Sequence, residues 1–185
     1  MQLSESQTLL LSLAQMLWDR AEASGYAYHI SDNLLPNTPR HAVLMQVAFG
    51  DFQVSMWTAE TMARAIGAVL RMPALEPGRH PDSNPFVRMQ GLPAGEYTGS
   101  VMSYWDGGPV ISDDPEQLDG RTAPPPLVNS APIEPDYGED PHSLPRKEPA
   151  AQQQKSAFLQ PDGIGVFLDT CAVSKPCTTN GYVAD

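Results

Sequence analysis

HAVLMQVAFGD, residues 41–51, decides how this chain folds. Residues 42–49 are a nearly continuous apolar run, rich in valine and leucine. A strand with one wet face alternates polar and apolar residues, whereas an unbroken apolar run predicts a strand covered on both faces, as in a parallel sheet. The run stops at Gly50–Asp51. After FQV, residues 55–66 (SMWTAETMARAI) set Ala59, Met62, Ala63 and Ile66 on one helical stripe, and Gly67 supplies a stop. GSVMSYWD, 99–106, is a second strand candidate. Strand, helix, strand in this order predicts a parallel crossover, hence an α/β fold.

Outward from this unit the signals are weaker. Residues 4–24 predict one amphipathic helix: Leu9, Leu10, Leu13, Met16 and Leu17 recur at helical spacing, Ser4 with Gln7 resembles a capping box, and Gly25 ends it. Residues 31–41 are turn chemistry, and 71–98 are irregular and studded with proline. The stretch 107–149 is proline-rich and acidic and includes APPPL. Val110, Ile111, Leu127, Val128, Ile133 and Tyr137 are spread through it, so an ordered, surface-hugging loop is expected rather than a linker. Residues 149–160 predict a short last helix with Pro149 near its start. The expectation is a single domain, 1–185, with ordered excursions at 71–98 and 107–148. Trp18, Trp57, Trp105, Tyr26, Tyr28 and Tyr104 lie on or beside predicted elements and are expected in the core.

The net charge of −11, from 22 acids against 11 bases, argues against nucleic acid as a partner and against an anionic membrane surface. No apolar run approaches the roughly 20 residues that span a bilayer. The leucine-rich start is not read as a secretory signal, because Glu5 precedes it, no basic residue does, and Gln15 and Asp19 interrupt it. Cys171 and Cys177, in CAVSKPC, are close enough to form a small disulfide loop, which implies an oxidising compartment; two free thiols are the alternative. The histidines (29, 41, 80, 142) stand singly and no second Cys or His pair has ligand spacing, so neither metal nor cofactor is expected.

Chemistry is suggested by one pair of residues. In open parallel sheets, reactive groups collect beyond the carboxyl ends of the strands. Asp51 holds that place, directly after the apolar run; a turn aspartate or a helix cap is the plainer role for it alone. His142 sits in YGEDPHSLPR, 137–146, between two prolines that forbid helix and central strand. Alone it reads as a solvated loop histidine. Together, an acid after one parallel strand, a further strand and then a loop histidine follow the order of acid and base in serine hydrolases built on a parallel sheet. A histidine with an ordinary pKa of about 6.5 suits proton transfer near neutrality, and a carboxylate fixes its tautomer.

The segments QMLWDRAEASGYAYHI, LPNTPRHAVLMQVAFGDFQVS, ARAIGA, DPHSLPR and the closing C-x5-C resemble the C-terminal portion of a group of bacterial α/β-hydrolases, exported proteins of lipase or esterase type. The resemblance is strongest at 15–69 and 139–177. It implies that Asp51 is the triad acid and His142 the triad base. It further implies that 43–49 and 99–105 are the last two core strands with 55–67 the helix between them, that the substrate is a carboxylic ester, and that the protein is extracellular or periplasmic. Departures accompany it. No G-x-S-x-G nucleophile turn occurs, so the nucleophile is expected outside this chain. Ser55, Ser100, Ser103 and Ser143 lack such a turn. The expected partner is therefore an N-terminal hydrolase segment that completes the fold, or a second copy, since a strand as apolar as 42–49 does not leave its edge in water.

Two rivals come from other classes. APPPL in a polyproline conformation would make the chain a non-catalytic binding module derived from a hydrolase fold. The acids of DDPEQLD, 113–119, and EPDYGED, 134–140, would suit calcium, but the first lacks EF-hand spacing.

Overall fold

A computed structural model describes residues 5–92, 95–111, 118, 120–128, 130–160 and 165–184. The apolar run forms strand β1 (Leu44–Ala48), and Met56–Ile66 form the crossover helix, termed α3 because α1 (Glu5–Trp18) and α2 (Tyr28–Ser31) precede it. Helix α3 does not lead to the expected second strand. Gly67, at φ +67°, turns the chain into a short strand β2 (Val69–Arg71), then β3 (Gly91–Leu92), and only after β4 (Glu96–Thr98) does β5 (Val101–Trp105) form. The main sheet has the order β1-β5-β2-β3, with every pair parallel, so β5 inserts between β1 and β2. Leu44 pairs with Val101 and Ala48 with Trp105. The expected adjacency of the two long strands is present; β2 and β3 are additions that three-residue and two-residue segments do not announce by periodicity.

Both faces of the sheet are covered. On one, Met45 and Val47 pack on a core containing Met56, Ala63 and Ile66 of α3 together with Phe49 and Tyr104. On the other lie two short helices, α4 (Leu144–Lys147) and α5 (Pro149–Phe158), and a small antiparallel pair of β4 with β6 (Val166–Leu168). Gln46, the one polar residue in the run, is accounted for there: its Nε2 donates to Ala151 O at 2.7 Å and to Gln154 Oε1 at 3.2 Å. These hydrogen bonds offset the cost of taking the amide out of water between strand and helix.

Several expectations are corrected. The N-terminal helix ends at Trp18, and a 3-10 turn at Ala23–Tyr26 follows it. Its leucines do not pack: Leu9, Leu10, Leu13, Met16 and Leu17 are each more than half exposed, and Trp18, Tyr26 and Tyr28 are exposed too. Ser4 of the expected capping box lies outside the described residues, as do all but Leu118 of 113–119. Most of the long loop's apolar side chains do not anchor it: Ile111, Leu127, Val128 and Ile133 are exposed, Val110 and Tyr137 are partly buried, and only Leu118 among the described ones is buried. The loop is also fastened by the buried Thr122, whose N–H donates to Gly108 O and whose hydroxyl donates to Phe49 O. Cys171 and Cys177 form a disulfide with their Cα atoms 5.2 Å apart. Among the described residues no helix is long and apolar enough to cross a membrane.

Candidate active site

The carboxyl end of β1 carries a tight turn. Gly50 sits at φ +77°, and a Cβ there would stand 2.4 Å from Thr122 Oγ1, so backbone conformation and space both require glycine. The turn delivers Asp51 just above the sheet. Its Oδ1 accepts from the backbone N–H of Gln53 at 2.8 Å and of Val54 at 2.9 Å, an aspartate-closed turn that leads into α3. Its Oδ2 lies 2.9 Å from Nδ1 of His142, 91 residues along the chain. The turn contacts and the histidine contact are thus both present, one on each oxygen.

Pro141 and Pro145 on either side of His142 are both buried, but they do not keep the segment free of helix as expected: Pro145 sits in the first turn of α4, where a helix needs no N–H from it. Asp140, in the sequence one acid among many, fastens the two loops together. Its Oδ1 accepts from His142 N at 3.0 Å and from Phe52 N at 3.4 Å, while its Oδ2 accepts from Gln53 Nε2 at 2.8 Å. The only signal for it in the sequence is its place directly before Pro141 and His142. Asp51 is nearly buried (side chain 9% exposed) and His142 partly open (28%). With Nδ1 engaged by a carboxylate, the ring proton belongs on Nδ1 and Nε2 is the free acceptor. Among the described residues nothing hydrogen-bonds to Nε2.

A cleft of about 530 Å³ opens beside the pair, lined by the whole of β1 with Val54, Ala59, Pro145 and Arg146. Phe52 does not line it; Val54 does. None of Ser55, Ser100, Ser103 and Ser143 hydrogen-bonds to the His142 ring. Ser103 is wholly buried on β5, Ser100 bonds to Val43 N at the opposite end of the strands, and Ser55 and Ser143 stand at the starts of α3 and α4.

Two buried polar assemblies, unforeseen from the sequence, brace this end of the sheet. Arg79 makes a two-pronged bond to Asp106, just past β5, at 2.7 and 2.6 Å; it also donates to Thr122 O and stacks 4.4 Å from the centre of the Phe49 ring. Beneath α3, Glu60 Oε1 accepts from His80 Nε2 at 2.9 Å and from Tyr104 Oη at 2.6 Å. Asp82 N donates to His80 Nδ1, which places that ring's proton on Nε2. Burial alone would raise the Glu60 carboxyl, but the hydrogen bonds from His80 and Tyr104, with the charge of Arg64, hold it below the usual range. Burial and the neighbouring carboxylate push the Tyr104 hydroxyl well above its ordinary value. A second His–carboxylate pair therefore exists, but its histidine has both nitrogens occupied. Of the two pairs, only that of His142 leaves a ring nitrogen unengaged among the described residues.

No protein-family model, curated protein or solved structure matches the chain.

Proposed function

We propose that this chain carries the acid and base of a serine-hydrolase-type site, with the nucleophile contributed from outside it, and that the completed site hydrolyses carboxylic esters. One observation carries the reading: a nearly buried carboxylate holds Nδ1 of a loop histidine at 2.9 Å while Nε2 is left open beside an apolar cleft. That arrangement suits an imidazole that takes a proton from a hydroxyl. The hydroxyl oxygen attacks the ester carbonyl as its proton passes to Nε2, and Asp51 stabilises the imidazolium. The imidazolium returns the proton to the departing alcohol; water then repeats the sequence and frees the acid. The disulfide supports an extracellular or periplasmic setting, because such bonds persist in oxidising compartments.

Two measurements on the purified chain test this. Proton NMR should show the downfield Nδ1 proton of a carboxylate-bound imidazole, lost in Asp51→Ala and in His142→Ala; its absence from the native chain would remove the acid–base pair. A fluorophosphonate probe should leave the intact mass unchanged. A His142-dependent adduct would instead reveal an activated serine inside these residues and overturn the external nucleophile.

A further inference from the structure

Among the described residues, strand β1 has one open edge. Val43 O accepts from Val101 N and Phe49 N donates to Trp105 O, both at 2.9 Å, so the odd-numbered residues turn their backbone groups toward β5. Successive residues of a strand point these groups to opposite edges. The N–H and C=O of Leu44, Gln46 and Ala48 consequently face the unpaired side, β1 being the last strand of the sheet. No charge, proline or bulge blunts that edge, which are the usual defences of an edge that stays exposed.

The open side is a groove. Its floor is β1, with Val54 and Ala59 on the α3 side and Pro145 and Arg146 on the α4 side. An extended chain at the roughly 4.8 Å spacing of paired strands can pair with the free backbone groups of this edge, whereas a helix, its backbone bonds satisfied internally, would leave them unpaired. At the carboxyl end of the groove stands the unengaged Nε2 of His142.

We propose that the groove seats one further parallel strand, apolar on both faces, from the polypeptide that carries the nucleophile. The strand follows from the free edge; the hydroxyl after it rests on the hydrolase reading above. Parallel addition satisfies the outward groups of Leu44, Gln46 and Ala48 and brings the residue after the strand out beside Asp51 and His142. The added side chains would point alternately toward α3 and toward α4, which is why both faces must be apolar. A second copy of this chain suits the groove less well. Two-fold symmetry would pair β1 antiparallel with itself, bring no strand-ending hydroxyl to Nε2, and join two molecules of net charge −11.

The test is a phage-displayed library, about six random residues followed by Gly-Xaa-Ser-Xaa-Gly, panned on the full chain. Leu44→Pro and Ala48→Pro each remove an outward N–H that has no partner in the sheet. Val54→Arg, at a position 52% exposed, obstructs the groove without touching the core, and so remains informative if the prolines unfold the strand. Selected peptides should bind at least about tenfold more weakly to each variant and equally to an exposed control, Val173→Arg. They should also slow hydrogen exchange at the amides of 44, 46 and 48. Peptides indifferent to the three variants, a library that yields no binder, or a concentration-dependent dimer that protects the same amides would each overturn the proposal. Fluorophosphonate labelling of the bound peptide's serine reads the hydrolase reading separately: binding without His142-dependent labelling would sink that reading and leave the strand standing.

Discussion

Asp51 serves the turn with one oxygen and His142 with the other, and substitution separates the two roles. Asp51→Ala leaves the amides of Gln53 and Val54 without their acceptor and should destabilise the chain by about 1–3 kcal/mol in urea denaturation. Asp51→Asn keeps an oxygen for the turn, so most of that stability should remain, while the amide nitrogen can no longer accept from Nδ1–H and the downfield proton disappears. Glu60 gives the clearest pH dependence. Its folded pKa lies below the unfolded value, so its stabilisation is complete above the unfolded carboxylate range of about 4.3 and is lost as pH falls through the lower, folded value. Denaturation midpoints should therefore fall below about pH 4.5 in the native chain and less steeply in Glu60→Gln. At this scale the sequence exposes residue types and order, which sufficed to nominate Asp51 and His142. It does not expose partners distant along the chain, and so Asp140 and the Glu60–His80–Tyr104 assembly went unseen.

Among the elements, β1 and α3 were legible because each has a strong period: an unbroken apolar run, and a stripe at helical spacing ended by a glycine. The turn between them is equally determined. Gly50→Ala must adopt a left-handed φ and drive a Cβ into Thr122, and should lower stability by roughly 2 kcal/mol or more, measured by thermal or urea unfolding. The same period misled at α1. Five residues at helical spacing made a helix, as expected, but its apolar side faces solvent. Periodicity reports that a face is apolar and is silent on what covers it. In β2 and β3 the reverse holds, because segments this short carry no period and form strands only since β5 and its neighbours offer edges to pair with.

For the whole molecule, the C-terminal tail closes the fold through a single buried cation. Arg71, 1% exposed, bonds Asp169 at 2.9 Å, Pro73 O and Ala172 O at 3.1 Å, and Lys175 O, thereby gripping the loop that the disulfide closes. Arg71→Met strands a buried carboxylate and several carbonyls, and should cost about 3–5 kcal/mol. Reducing the disulfide, which closes only a short loop, should cost less, about 2 kcal/mol. Denaturation of the variant and of the reduced chain would rank the two. The sequence by itself determined the parallel α/β unit and the glycine turn, and it nominated Asp51 and His142 as a candidate pair, because these depend on local period, backbone freedom and side-chain chemistry. Only the tertiary structure decided that Asp51 and His142 meet, that β5 lies between β1 and β2, and that β1 keeps an open edge. Those facts are fixed by which distant segments share one sheet, and contacts across 91 residues leave no periodic trace in the chain that makes them.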